Sequence, residues 1–99
     1  MFVVLLTYLA PVSEIDARLA DHVRFLDAGY ADGLFLASGR QTPRTGGVIL
    51  ARAASRAALE TALAKDPFAV HNLARYDIVE FTPTKTTPDL ACLREEPKG

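Results

Sequence analysis

The alternation of hydrophobic and polar positions divides the chain into four apolar blocks and two amphipathic segments. The apolar blocks are rich in β-branched, aromatic and aliphatic residues and are too short for helices, so they predict strands. These strands cover residues 2–9, 34–38, 47–52 and 75–82. Between the first and second strands, and again between the third and fourth, apolar residues recur every three or four positions, which predicts two amphipathic helices.

The element order is therefore β-α-β-β-α-β, which is typical of a ferredoxin-like α+β fold. In this fold a four-stranded antiparallel sheet carries both helices on one face. The first helix is predicted from an N-cap at Ser13 to about Tyr30. The second is predicted from an N-cap at Ser55 to about Lys65, and Asp66-Pro67 ends it because proline disfavours helix at the preceding residue.

The length of 99 residues predicts one domain. We expect the ferredoxin-like domain to cover residues 1–83. Beyond it, Pro83, Pro88 and Pro97 interrupt a segment with little periodicity. Residues 84–99 are therefore predicted to form an extended or flexible C-terminal tail.

The first and third strands are apolar at consecutive positions rather than at alternate ones. A sheet with one face in water is expected to alternate, so this pattern indicates that the second face is covered as well. No predicted element is left to cover it, and a second copy of the chain would do so. We therefore predict a homodimer, although the central strands could instead be merely rich in Val and Leu.

Charge and cysteine content narrow the possible partners. The 11 basic and 12 acidic residues give a formal net charge of −1, so no nucleic-acid or anionic-membrane surface is predicted. No apolar run reaches membrane-spanning length, and residues 2–9 lack the basic leader of a signal peptide. The single cysteine, Cys92, excludes an intrachain disulfide and most structural zinc sites. These features favour a cytoplasmic protein.

Each helix carries one polar residue on its apolar stripe. His22 lies three residues after Leu19 and four before Leu26, and Asp66 follows Leu63 by three. A buried carboxylate needs a partner. Both helices are expected to follow parallel strands and to run the same way, so the two residues should differ in height by only about 4–5 Å. The sequence therefore predicts a His–Asp pair.

Two interpretations of this pair stay open. In the catalytic one, Asp66 fixes the tautomer of His22, and the other ring nitrogen serves as a general base or acid. In the structural one, a buried histidine only satisfies the carboxylate at a helix end. Spacing alone does not decide between them.

Three motifs resemble the YCII-related family over residues 1–83. They are His22 with Phe25-Leu26 and Gly29, the run Leu34-Phe35-Leu36-Ala37-Ser38-Gly39, and Asp66-Pro67-Phe68. The resemblance implies a dimeric ferredoxin-like α+β barrel with a His–Asp pair in a small pocket, at positions that His22 and Asp66 match. One activity that it implies is dehydrochlorination of a chlorinated hydroxyquinol.

The chain departs from the family pattern at two positions. Arg40 replaces a common proline after the second strand, and it could place a cation at the mouth of the pocket. Asn72 replaces a common glycine in the turn before the fourth strand, where asparagine also tolerates a left-handed conformation.

We predict five residues beside the pair to contact a small-molecule substrate or ligand: Tyr8, Ser38, Gly39, Arg40 and Phe68. Arg40, or backbone N–H groups near Gly39, would stabilise an anion, whereas Tyr8 could either line the pocket or cover the edge of the core. His71 is predicted to be an exposed turn residue. Its spacing from His22 and Asp66 is not that of metal ligands, so no metal is predicted, and no cofactor motif is visible.

The leading hypothesis is a small cytoplasmic enzyme in which His22 and Asp66 perform acid–base chemistry. The reaction would be an elimination or isomerisation, of lyase or isomerase type, on a small polar cyclic or aromatic compound. The alternative is a non-catalytic dimeric module that binds a small ligand or a partner, with the His–Asp pair serving structure. A pocket that reaches His22 would favour an enzyme or a ligand binder, and a sealed pair would favour the structural interpretation.

Overall fold

A computed structural model of the protein describes residues 1–96 and shows the predicted ferredoxin-like α+β fold. Its strands are β1 (Phe2–Tyr8), β2 (Phe35–Arg40), β3 (Gly46–Ala51) and β4 (Ala74–Glu80). Its α-helices are α1 (Val12–Ala17), α2 (Leu19–Ala31), α3 (Arg56–Leu63) and α4 (Pro67–Val70). The strands form one sheet in the order β2-β3-β1-β4, and every neighbouring pair is antiparallel.

The predicted first helix is in fact two helices, and its predicted N-cap is wrong. Pro11 occupies the cap position of α1, and its carbonyl accepts hydrogen bonds from the backbone N–H groups of Glu14 and Ile15. The helix therefore begins before Ser13, and no side-chain cap is present. Arg18 separates α1 from α2 with a backbone conformation outside the helical region.

The second helix begins as predicted, because the Ser55 side chain accepts a hydrogen bond from the N–H of Ala58. Beyond its end, Pro67 opens the short helix α4, and Asp66 is the N-cap of that helix. Since β1 and β3 are antiparallel, the helices that follow them run in opposite directions, and the expectation that they run the same way was wrong. The turn before β4 places Asn72 at a φ of 55°, the left-handed conformation expected there.

The core lies between the helices and one face of the sheet. Phe2, Val4 and Leu6 of β1 are buried on this face, each at most 2% exposed. The helices contribute buried apolar side chains as well, namely Ile15, Leu59, Leu63 and Phe68. In α2, Gly29 lets the Phe35 ring approach so closely that a Cβ would lie 2.1 Å from it. This contact fixes the distance between α2 and the edge strand β2.

The other face of the sheet carries no helix and is apolar along β1 and β3, while β4 places Asp77 on it opposite Leu5. Val3 pairs with Leu50 and Val79 on the neighbouring strands, and Leu5 pairs with Val48. Leu5 is 37% exposed and Val79 is 54% exposed. We call this face, with these five apolar residues, the open face. The consecutive apolar positions in the sequence therefore serve two faces, and the homodimer stays a prediction.

The segment after β4 contains a 3₁₀ helix, Pro88–Leu93, that the sequence pattern did not predict. The Arg52 guanidinium donates hydrogen bonds to the carbonyl oxygens of Cys92 and Leu93, which ties this segment to the end of β3. The domain boundary at residue 83 stays a prediction, and Pro97 lies outside the described residues. Within residues 1–96, no helix is long and apolar enough to cross a membrane.

Candidate functional site

His22 and Asp66 are in contact. Nδ1 of His22 lies 2.8 Å from Oδ1 of Asp66. The carboxylate is fully buried, whereas 11% of the His22 side chain is exposed. The sequence predicted Asp66 on the inner face of the second helix. In the structure Asp66 is instead the N-cap residue that precedes α4.

Asp66 makes three hydrogen bonds, which together engage both of its oxygens. The backbone N–H of Phe68 lies 3.1 Å from Oδ1, as expected for an N-cap, and His22 shares that oxygen. The hydroxyl of Tyr76 donates to Oδ2 over 2.5 Å. A buried carboxylate tolerates the loss of water when it is bonded in this way.

Tyr76 is the one member of this cluster that the sequence argument missed. Burial raises the pKa of its phenol well above the usual value, and the hydrogen bond and charge of Asp66 raise it further. The phenol therefore keeps its proton and acts as a permanent donor. Alternation in β4 places Tyr76 on the helix side of the sheet, and that signal identifies a buried hydroxyl that needs an acceptor.

Aromatic contacts hold the His22 ring. It stacks on the Phe68 ring at a centroid distance of 4.1 Å and an interplanar angle of 10°. The Phe25 ring lies 6.2 Å away at 27°. One ring nitrogen is bound to Asp66, and Nε2 makes no hydrogen bond to any residue in the described part of the chain.

His22 borders a cavity of about 200 Å³ between α2 and the sheet. All five residues that were predicted to contact a ligand line it: Tyr8, Ser38, Gly39, Arg40 and Phe68. The remaining wall is almost entirely aliphatic and consists of Leu6, Leu19, Val23, Leu26, Gly47, Val48 and Ile49. Asp66 lies behind His22 and does not reach the cavity. The arrangement can present one ring nitrogen to a small molecule in largely apolar surroundings.

The polar residues of the cavity differ in their partners. The hydroxyls of Ser38 and Tyr30 lie 2.6 Å apart, so Ser38 is already engaged. Arg40 makes no hydrogen bond or ion pair within residues 1–96. Arg44 lies outside the cavity lining and pairs with Asp16 at 2.6 Å, and this hydrogen bond lowers the pKa of the Asp16 carboxyl. Arg40 therefore has no hydrogen-bonded partner within residues 1–96, and its charge contributes to the lowered pKa of the Asp16 carboxyl.

The structure does not bring the other titratable candidates to the site. His71 is exposed at the end of α4 and does not line the cavity. Cys92 is a free, exposed thiol in the 3₁₀ helix. In the described residues, no group of three or more His, Cys, Asp or Glu side chains is placed to hold a metal ion.

The sequence profile of the YCII-related domain matches residues 1–82. The chain belongs to the YCII-related family. A solved structure with the same fold is 5-chloro-2-hydroxyhydroquinone dehydrochlorinase from Burkholderia phenoliruptrix AC1100 in complex with 2,5-dihydroxybenzoquinone. It is 16% identical to this chain, with a TM-score of 0.69, and the match covers 83% of this chain and 94% of the dehydrochlorinase. No curated protein matches this chain in sequence.

Proposed function

We propose that this YCII-family protein is an acid–base enzyme that acts on a small polar cyclic or aromatic compound. One observation carries the proposal: the His22 ring is bound through Nδ1 to a buried carboxylate and borders a cavity that can hold a ligand. A histidine that served structure alone would need neither the cavity nor a second nitrogen without a protein partner.

The chemistry follows from the contacts. Asp66 accepts a hydrogen bond from Nδ1–H and holds the ring, so Nε2 is the nitrogen that takes a proton from the substrate. Removal of that proton leaves negative charge on the substrate, which Arg40 or the backbone N–H groups near Gly39 stabilise. The aliphatic wall lowers the local dielectric constant, which strengthens these interactions.

The reaction to test first is an elimination. The structurally similar protein from Burkholderia is a dehydrochlorinase, and dehydrochlorination removes one proton and one chloride from an organic molecule as HCl. A base and an anion-binding group are the parts that such a reaction needs, and the cavity contains candidates for both. A cavity of about 200 Å³ also suits a single substituted ring.

The test is chloride release from 5-chloro-2-hydroxyhydroquinone by the purified protein. His22→Asn retains hydrogen bonding but cannot transfer a proton near neutral pH, so we expect kcat to fall by about 100-fold or more. His71→Asn is the matched control, because it makes the same change at an exposed histidine outside the cavity, and it should retain full activity. Equal chloride release by His22→Asn and wild type would contradict the proposal.

The structural alternative has one observation in its favour, since Asp66 caps α4 and only 11% of the His22 side chain is exposed. In that case the protein is a ligand-binding module. It would bind 2,5-dihydroxybenzoquinone without releasing chloride from the chlorinated compound. His22→Asn would then be tolerated and His22→Ala would lower the melting temperature, because it leaves Asp66 short of a donor.

We further propose that the protein is a cytoplasmic homodimer joined through the open face. The support is the row of apolar side chains across three strands, including Leu5 and Val79, which remain partly in contact with water in the single chain. Contiguous exposed apolar residues of this kind mark interaction surfaces. The single cysteine suits a reducing compartment.

A further inference from the structure

We propose that Tyr76 is a positioning residue that fixes the tautomer of His22 by way of Asp66. The inference rests on the proposed acid–base role of His22 and adds a third member to the pair. Tyr76 approaches Asp66 from β4, and its ring lines a different depression from the cavity that His22 borders. It therefore has no contact with a ligand in that cavity, and any effect on turnover passes through the carboxylate.

Two groups other than His22 donate hydrogen bonds to Asp66, and both keep their protons. The donor to Oδ1 from Phe68 is a backbone N–H, which always carries its proton. The donor to Oδ2 is the Tyr76 phenol, which also keeps its proton, because burial and the neighbouring carboxylate raise its pKa. Both oxygens of Asp66 thus face fixed donors, and the carboxylate has no proton of its own to give.

The state of Asp66 determines which nitrogen of His22 carries the proton. Because Asp66 can only accept, the proton between its Oδ1 and the imidazole must belong to Nδ1. Neutral imidazole carries one N–H, so the other nitrogen, Nε2, then holds the lone pair. That tautomer is the one in which His22 can act as a base at Nε2. Phe68 contributes twice, since its N–H helps fix the carboxylate and its ring stacks on the imidazole.

Loss of the Tyr76 hydroxyl would change where the proton between Asp66 and His22 lies. In Tyr76→Phe, Oδ2 is buried without a donor, which favours a proton on the carboxyl group. A protonated Asp66 can donate to Nδ1, and His22 then carries its own proton on Nε2. The ring keeps its place and its stacking, but the nitrogen at the cavity no longer accepts a proton.

The experiment records ¹⁵N spectra of the imidazole nitrogens in wild type and Tyr76→Phe, together with chloride release from 5-chloro-2-hydroxyhydroquinone. We expect the Nδ1–H tautomer in wild type and a clear Nε2–H population in the variant. We expect kcat to fall about tenfold or more with KM changed less than about twofold, because ligand contacts are intact. Ile78→Val is the control: it lines the same depression and loses a methylene without touching Asp66.

The outcomes separate the two hypotheses. The role of Tyr76 is overturned if wild type has the Nε2–H tautomer. It is also overturned if Tyr76→Phe keeps the tautomer of wild type and has the same kcat as Ile78→Val. If wild type releases no chloride, the proposed reaction fails, yet the ¹⁵N spectra still decide the tautomer. If Tyr76→Phe does not fold, 3,5-difluorotyrosine at position 76 provides a stronger donor. It should draw charge from Asp66 and shift the Nδ1 proton resonance upfield, and an unmoved resonance also overturns the role of Tyr76.

Discussion

The two faces of the sheet carry similar side chains but differ in what surrounds them. On the helix-covered face, Val4 and Leu6 are 0% and 2% exposed. On the open face, Leu5 lies between them in sequence and is 37% exposed. The covered face also holds a buried polar group, Asp66, whereas the open face is aliphatic along β1 and β3 and has the exposed Asp77 of β4 opposite Leu5.

The two faces differ in how their side chains are shielded from water. A carboxylate is tolerated inside the covered face because three hydrogen bonds replace the water that it loses. The two bonds from the Phe68 N–H and the Tyr76 hydroxyl hold it against His22. The open face has no comparable cover within the described chain. Large aliphatic side chains there stabilise the fold little unless another surface buries them. One face thus builds a site, and the other is suited to assembly.

The largest effect is expected at the buried carboxylate. Asp66→Ala leaves the Tyr76 hydroxyl, the His22 ring and the Phe68 N–H without their acceptor. We expect the free energy of unfolding to fall by about 3 kcal/mol or more, measured by urea denaturation. Asp66→Asn keeps one acceptor and should cost less.

The matched control is Asp21→Ala, on the exposed side of α2. Asp21 is exposed and pairs with Arg24. An exposed pair of this kind contributes less than about 1 kcal/mol. Similar losses for the two variants would show that the contacts of Asp66 are not what stabilises the covered face.

Much of the fold was predictable from the sequence, because strand and helix periodicities differ and the element order admits few topologies. The break between α1 and α2 at Arg18 was not predictable, because the helical spacing of apolar residues continues across it. The start of the first helix was also missed. Ser13 is a good cap by residue type, but the Pro11 carbonyl already accepts the first helical hydrogen bonds.

The site was predictable in part. His22 and Asp66 stood out because each places a polar group where the pattern requires an apolar one. Their contact is present, but it follows from the cap of α4 rather than from similar heights on two helices that run the same way. Tyr76 was missed because a tyrosine in a strand is ordinary, and only the three-dimensional structure shows that its hydroxyl meets Oδ2 of Asp66.

The second prediction concerns the open face. Leu5→Glu places a charge in the middle of the proposed interface, which should bury more than about 1,200 Å² in a dimer. We expect wild type to be dimeric by light scattering at micromolar concentration, and Leu5→Glu to be monomeric but folded. Val70→Glu makes the same change at a residue of α4 that is 64% exposed, and it should stay dimeric. A monomeric wild type would refute the homodimer.

The third prediction uses the raised pKa of Tyr76. A phenol whose pKa is higher in the folded state than its ordinary value of 10.0 contributes stability below pH 10, and this contribution is lost as the pH rises above 10. Wild type should therefore lose about 1.4 kcal/mol of stability per pH unit above 10 from this group alone. Tyr76→Phe should lack that slope, whereas Tyr30→Phe, at an exposed tyrosine, should keep it. Parallel stability curves for wild type and Tyr76→Phe would contradict the burial of this phenol.

The smallest effect is expected from a charge at the edge of the covered face. Arg40 lies opposite Gly47 in the sheet register and lines the cavity without a hydrogen bond or ion pair in the described residues. Arg75, on the side of the sheet that carries the open face, is paired with Asp77. A guanidinium without a hydrogen-bonded partner beside an apolar cavity favours an anionic ligand, whereas one held in an ion pair does so less.

Binding of 2,5-dihydroxybenzoquinone tests this difference, because the compound is a vinylogous acid and is anionic at neutral pH. Arg40→Gln should raise its Kd by about fivefold to tenfold, equivalent to about 1 kcal/mol, because the partly exposed cation is screened by solvent. Arg75→Gln removes the same charge from the opposite side of the sheet and should leave Kd unchanged. The effect of Arg40→Gln should shrink as the salt concentration rises. Equal Kd values for the two variants would show that the cavity recognises its ligand through shape and His22, without help from Arg40.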